Sequence, residues 1–271
     1  MLAEEYRSLT VKTSIKTIET MLERANALKP FNQATGILDN GCGPGPVMDH
    51  LIRIYGSQIP KNAPLIGSDF SGGMIKAAQD HKEREVAKDP ASPWARVELK
   101  VQDAMDLKEM PSVSVSHVTA GWVYFMLPDP QKALAESLRI LQPDGTLVVS
   151  SWEGSQWLDV MLSLGEVLPD RPMPSLPATW QTIEGVEGEL KKAGFRNVKG
   201  EKVSVTMDFQ SRGSFVEMMC TKMPHMIALL KTTTEEQVKQ YKELAKQRMQ
   251  DMCPDEPGTL HGVALVAVGQ K

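Results

Sequence analysis

Ile37-Leu38-Asp39-Asn40-Gly41-Cys42-Gly43-Pro44-Gly45-Pro46 decides how the rest of the chain is read. The apolar run at 34–38 has the length of a buried strand, and the glycines after it form a tight turn. Pro46 suits the first position of a helix, where its missing N–H is not needed. Val47, Leu51, Ile54 and Tyr55 then share one helical face that closes at Gly56. Strand, turn and helix in that order are the first half of a βαβ unit.

Upstream, Val11, Ile15, Ile18 and Leu22 recur at helical spacing, predicting a helix over 10–28 that Pro30 stops. Downstream the alternation continues. Strands are expected at 64–68, 96–101, 113–120 and 146–151. Helices are expected from the Ser71 cap to about Lys88, and from the Asp129 cap with Pro130 behind it. This spacing predicts an α/β chain with a doubly wound parallel sheet and right-handed crossovers. Beyond residue 151 the pattern predicts a helix at 180–193, strands at 203–209 and 262–268, and a surface connection at 168–177. A capping box Thr233-x-x-Glu236 is expected to open a polar helix through Gln250.

The 271 residues are 41% hydrophobic and 24% charged, an ordinary globular mix that excludes a disordered or fibrous chain. A net charge of −4 weighs against a nucleic-acid partner. No apolar run reaches the roughly 18–20 residues that cross a bilayer, so no membrane partner is expected. Residues 1–10 carry Glu4 and Glu5 and no apolar stretch of the secretory type. Cys42, Cys220 and Cys253 are odd in number and far apart, which fits a reduced, cytoplasmic compartment. Without C-x-x-C or His-x3-His spacing, no metal site is expected.

Free N–H groups in a glycine turn at a helix start favour an anion. Asp39 opposes a pyrophosphate there, because two like charges about 4 Å apart cost roughly 4 kcal/mol at an effective dielectric of 20. It favours an ammonium or sulfonium instead. The spacing Gly41-x-Gly43-x-Gly45 also differs from the G-x-G-x-x-G of dinucleotide folds. Asp69, ending the second strand, can accept both hydroxyls of a ribose. Asp103, after the third, can accept from an adenine amino group while Met74 or Met105 packs on the ring. S-adenosylmethionine has this layout of charge. Each acid also has a plainer reading: Asp39 and Asp103 as turn residues, Asp69 as a helix cap. Cys42 reads as a small side chain that fits inside the turn.

Together these residues resemble the class I S-adenosylmethionine-dependent methyltransferases. Residues 37–45 are similar to the family's first motif. Ile66-Gly67-Ser68-Asp69-Phe70-Ser71-Gly72-Gly73-Met74-Ile75 resembles its second-strand motif, and Gln102-Asp103-Ala104-Met105-Asp106-Leu107 its adenine motif. Leu127-Pro128-Asp129-Pro130, Ala133-Leu134 and Leu138-Arg139-Ile140-Leu141-Gln142-Pro143-Asp144-Gly145 resemble the ubiquinone-biosynthesis-like branch. Ser116-His117-Val118 and Ser151-Trp152 look like small fungal methyltransferases of secondary metabolism. Two departures stand out: Ser116-His117 where the branch has Phe-Asp, and Asp144-Gly145 where it has Gly-Gly.

The resemblance implies a Rossmann-like sheet of seven strands, the last two forming an antiparallel hairpin, with helices on both faces. It implies a single domain over 1–271: an N-terminal helical lid at 1–32, a cofactor-binding core at 33–151, and substrate-side helices, a helical insertion and the hairpin at 152–271. S-adenosylmethionine is the implied cofactor and S-adenosylhomocysteine its product. The implied cofactor residues are Asp39, Gly41, Cys42, Gly43, Gly45, Asp69, Phe70, Met74, Asp103, Ala104, Met105, Ala120 and Gly121.

Gly121-Trp122-Val123-Tyr124-Phe125-Met126 follows the fourth strand, beside the implied methyl group. The Asn/Asp-Pro-Pro-Tyr tetrad of nucleic-acid amino methyltransferases is absent. Aromatic residues there suit a flat, apolar acceptor. Trp122, Phe125, Trp152, Trp157, Met218, Met219 and Tyr6 are candidate substrate contacts, with core packing the plainer reading for the methionines. A phenol facing a histidine is uphill by about 3.5 pKa units, roughly 5 kcal/mol, so such an acceptor needs a placed base. Tyr124 and His225 are the catalytic candidates, with a solvated loop residue the plainer reading for His225. His50 and His81 are expected at the surface, and His117 at the structural end of its strand.

The expected activity is methyl transfer by in-line displacement to oxygen or nitrogen of a small, largely apolar natural product, by a monomer or homodimer. The alternatives are a cofactor-assisted cyclisation or rearrangement without transfer, a noncatalytic partner protein, and a nicotinamide oxidoreductase.

Overall fold

The computed structural model describes the backbone of residues 2–271 and the side chains of all of these except 2–12, 224 and 225. The apolar runs become β1 (Ile37–Asn40), β2 (Leu65–Asp69), β3 (Val97–Val101) and β4 (Val115–Gly121). They pair in parallel with β5 (Leu141–Ser155). β6 (Arg196–Phe209) and β7 (Gly258–Gln270) complete one seven-stranded sheet in the order β3-β2-β1-β4-β5-β7-β6. β7 runs antiparallel to both neighbours. Strand order reverses between β1 and β4, and ligands of such sheets bind beyond the strand ends at that point.

Among the described residues, ten helices surround the sheet. α1 (Leu2–Leu28), α2 (Pro46–Tyr55) and α3 (Gly72–Lys88) come first. α4 (Pro130–Ile140) precedes β5, and α5 (Gln156–Leu162), α6 (Leu164–Val167) and α7 (Ile183–Lys192) follow it. α8 (Arg212–Lys222), α9 (Pro224–Leu230) and α10 (Glu235–Met252) are inserted between β6 and β7. One apolar layer joins Ile18, Met21 and Leu22 of α1 to Met48 and Leu51 of α2, and runs on to Tyr241 and Met249 of α10. The other packs Leu134 and Ile140 of α4 with Trp180 and with Val186 and Leu190 of α7.

α1 starts well before residue 10 and lies antiparallel to β4. At its C-terminal end the Lys29 carbonyl accepts from His117 Nε2, 2.8 Å away, near the start of β4. At Met21 its Cε lies 3.8 Å from where a Cβ on Gly121 would stand, at the end of β4. A helix rises 1.5 Å per residue, so the residues preceding Met21 carry α1 past the carboxyl edge of the sheet.

β5, β6 and β7 also start earlier than expected, and beyond element bounds three details differ from the sequence reading. The capping box is Thr234 with Gln237, one residue later than expected. His50 and His81 are buried, because each faces inward from its helix: His50 Nδ1 is 3.2 Å from the Pro46 carbonyl, and His81 Nε2 is 2.7 Å from Asp49 Oδ1. His117 is structural, as its strand position suggested. Its ring stacks on Phe31 with centroids 4.7 Å apart, Nδ1 meets the Ser116 hydroxyl, and burial lowers its pKa to about 4.

Candidate functional site

The carboxyl ends of β1, β2 and β3 bring the three motifs together, with the end of β4 beside them. Asp39 is almost completely buried in β1. Its Oδ1 accepts from the Thr119 hydroxyl of β4 at 2.7 Å, and its Oδ2 has no hydrogen-bond partner. Burial pushes its pKa up to about 7, and the nearby Asp69 carboxyl adds to this, while the Thr119 hydroxyl and Met48 amide oppose it. A shielded, unpaired oxygen of this kind is costly, and buried polar atoms in native structures are nearly always met by a partner, whether protein, water or ligand.

Gly41, Gly43 and Gly45 all have positive φ, at 79°, 53° and 91°. A Cβ on Gly41 would stand 2.3 Å from Val123 Cγ2, whereas one on Gly43 would meet nothing within 4 Å. The turn therefore presents an open cradle at Gly43. Its amides are not free, which corrects the expectation of an anion site. Gly41 and Cys42 both donate to the Ser68 carbonyl, at 2.7 and 2.8 Å, and Gly45 donates to that of Cys42. Gly43 donates to Asp69 Oδ2 at 2.9 Å. The turn offers shape and close approach rather than charge. Cys42 is corrected with it: both of its backbone polar groups are engaged, and its thiol packs beneath the sheet 3.2 Å from where a Cβ on Gly67 would stand.

Asp69 also accepts from the Ser71 amide at 2.8 Å, so it braces the turn and the start of α3 at once. Asp103 accepts from the Met105 amide at 2.8 Å, the geometry of a turn residue. Each carboxylate oxygen keeps a further lone pair for a ligand. Phe70 is 79% exposed at the end of β2, with Val101 exposed at the end of β3 and Met74 and Met105 half-buried nearby. These apolar groups flank the edge on which the adenine motif falls. Ala104 and Ala120 direct their methyl groups into the α4 layer, leaving only backbone to the site.

After β4 the backbone at Trp122 turns left-handed, with φ 56°, an unusual conformation for a bulky residue. Its amide donates to Ser150 Oγ at 3.1 Å. Its indole stacks on Trp152 with centroids 5.6 Å apart, and Trp152 meets Trp157 edge-on at 5.4 Å. Trp122 Nε1 is shielded and unpartnered. Three of the candidate substrate residues thus form one continuous aromatic run beside Gly121.

Others do not join it. Tyr124 is fully buried, its hydroxyl 2.6 Å from Ser137 Oγ and receiving Asn40 Nδ2 at 3.0 Å. Burial pushes its pKa up to about 12, so it is a structural link between β1 and α4 and not a catalytic group. Phe125 packs in the α4 layer, and Met219 is completely buried in the α1–α10 layer, with Met218 half-buried against it. The side chains of Tyr6 and His225 lie outside the described residues. Two groups escaped the sequence reading. Thr17 of α1 is completely buried with an unpartnered hydroxyl, one helical turn beyond Met21. Gln102 has both amide atoms shielded and unpartnered beside Asp103. Only their burial marks them, and burial is not written in local sequence.

Asp39 and His117 make opposed contributions to stability. The fold prefers Asp39 protonated, so stability falls as pH rises from its ordinary 3.8 toward about 7. The fold prefers His117 neutral, so stability present above 6.5 is lost as pH falls toward about 4. Each shift is worth about 3–4 kcal/mol. Urea unfolding should therefore show Asp39→Asn gaining stability as pH rises through this window, and His117→Gln losing it. Parallel slopes in the two variants would contradict both assignments.

A family model described as a methyltransferase domain matches residues 38–149. Methyltransferase ucsB of an Acremonium species is 36% identical over 267 residues, covering 98% of this chain and 92% of that protein. The acetylaranotin bis-thiomethyltransferase of Aspergillus terreus is 28% identical over 255 residues, covering 91% and 84%. Among solved structures, phosphoethanolamine N-methyltransferase 2 of Haemonchus contortus in complex with S-adenosyl-L-methionine shares the fold. Its TM-score is 0.55 at 18% identity, over 99% of this chain and 56% of that one.

Proposed function

This chain belongs to the S-adenosylmethionine-dependent methyltransferases, and from that premise we propose that it methylates a flat, largely apolar small molecule at a heteroatom. The run Trp122–Trp152–Trp157 beside the end of β4 carries this reading. Aromatic faces hold planar apolar groups, and a strained residue at a strand end points to a functional constraint. Oxygen and nitrogen are the proposed acceptor atoms, and the Aspergillus relative, a thiomethyltransferase by name, adds sulfur. No helix among the described residues is long and apolar enough to cross a membrane.

The residues present fit the cofactor. The unpaired Oδ2 of Asp39 would take its ammonium, the open face of Gly43 would admit it against the backbone, and the spare lone pairs of Asp69 would take ribose hydroxyls. Phe70, Met74 and Met105 would flank the adenine, near Asp103. When bound, S-adenosylmethionine supplies an electrophilic methyl group on a sulfonium. The chain's own task is to hold the acceptor in line with that group and to exclude water, which is worth several powers of ten by proximity. With Tyr124 committed to Ser137 and Asn40, no base stands there among the described side chains, so the site as described favours acceptors that ionise readily, such as acidic enols and thiols. We retain His225, in the first turn of α9, as the candidate base for less acidic acceptors.

The test is incubation with methyl-labelled cofactor and a panel of phenols, enols, thiols and amines. Label should enter a planar acceptor. Trp122→Asn, which tolerates the left-handed backbone but lacks the ring, should raise acceptor KM about tenfold and leave the KM of S-adenosylmethionine unchanged. Conversion of acceptor without label would replace transfer by rearrangement.

A further inference from the structure

The last glycine of the turn rests on a buried cluster that the transfer chemistry does not use. A Cβ on Gly45 would stand 3.1 Å from Trp94 Cη2 and 3.9 Å from the Ala78 methyl. Trp94, in the short 3-10 turn Pro93–Arg96, thus fills the space under that glycine and is itself almost wholly buried. Its Nε1 donates to Asp49 Oδ1 at 3.3 Å. His81 of α3 places Nε2 2.7 Å from the same oxygen and sets its ring edge-on to the indole, centroids 4.9 Å apart. Asp49 lies in the first turn of α2, where its amide donates to the Gly45 carbonyl at 2.9 Å.

The cluster therefore links two halves of the site. α2 begins at the glycine turn, which the proposed placement gives to the methionine end of the cofactor. α3 begins at Gly72, capped by Ser71 two residues after Asp69, and carries Met74 on the nucleoside side. One carboxylate oxygen ties the two helices together, in the first turn of α2 and about two and a half turns into α3. Ala78 and His81, one turn apart on α3, meet Gly45 just before α2 and Asp49 within it.

We infer that His81, acting through Asp49 and Trp94, is a positioning residue that holds the glycine turn and the Asp69–Met74 edge at the separation one cofactor molecule spans. It touches no ligand. Its contribution is to affinity, because a turn free to shift against α3 must be ordered again when a ligand bridges both sides. The inference rests on the cofactor placement proposed above.

Titration calorimetry with S-adenosylhomocysteine tests it, alongside steady-state kinetics. His81→Leu should weaken binding about tenfold, the worth of one hydrogen bond to a charged group, and raise the KM of S-adenosylmethionine by a like factor. Turnover at saturating cofactor and the acceptor KM should stay within about twofold of wild type. His81→Gln, which keeps an N–H for Asp49, should restore affinity. Trp94→Phe keeps an aromatic ring in the cluster but removes both the N–H for Asp49 and the outer indole edge under Gly45, so it breaks the same link if His81→Leu folds poorly. Wild-type affinity in His81→Leu or Trp94→Phe, with only a lowered thermal midpoint, would make the cluster plain packing and overturn the inference. A wild-type chain that gives no heat with S-adenosylhomocysteine would remove the cofactor placement and the inference with it.

Discussion

Gly41→Ala is expected to lower methyl transfer about a hundredfold or more, through geometry alone. The new Cβ would stand 2.3 and 2.7 Å from the two γ-carbons of Val123. No real Cβ sits that close, so either the turn or the segment after β4 must move. The neighbour of Val123 is Trp122, whose backbone is already held left-handed, so a shift there also displaces the aromatic run. The backbone at residue 41, with φ 79°, adds about 1–2 kcal/mol against any side chain. Kinetics should show a fall in turnover that saturating cofactor does not repair. Adding Val123→Ala should recover part of the loss by opening space and leave the backbone cost in place. A fully active Gly41→Ala enzyme would show that Val123 does not cover the turn in solution.

Asp69→Ala should weaken S-adenosylhomocysteine binding by about a hundredfold or more. Two amides, of Gly43 and Ser71, lose a charged acceptor, and hydrogen bonds to charged groups are worth about 1.5–3 kcal/mol each. The ligand hydroxyls proposed to share that carboxylate are lost as well. Asp69→Asn keeps the shape but only one accepting oxygen, and should fall between. The signature differs from that of Gly41→Ala: turnover should return when cofactor is raised, because the acceptor side is untouched. Calorimetry showing an unchanged dissociation constant in Asp69→Ala would refute the ribose role.

The sheet, its helices and the strand-end acids were legible in the chain because their signals are local. Alternating apolar runs and caps mark strands and helices, and glycine spacing marks a turn that must be tight. Even so, local signals fail where two residues compete for one role. Thr233 and Thr234 each have a suitable partner three residues on, in Glu236 and Gln237, and α10 takes the second, the Thr233 hydroxyl donating instead to the Leu229 carbonyl.

The composition of the site followed a different logic. Trp122 and Tyr124 are two residues apart, and both read as aromatic residues at a strand end. A single left-handed residue separates their fates: Trp122 joins Trp152 and Trp157 from β5 and α5, while Tyr124 goes to Ser137 in α4. Glycine spacing announced a turn but not the destination of its amides, which Ser68 and Asp69 of β2 decide. His81 read as a surface residue until Asp49 and Trp94 arrived from other elements. Side-chain identity along a strand end is therefore a property of the chain, whereas the direction each side chain takes depends on neighbours tens of residues away. Backbone angles and remote packing partners set that direction, and neither is encoded within one short window.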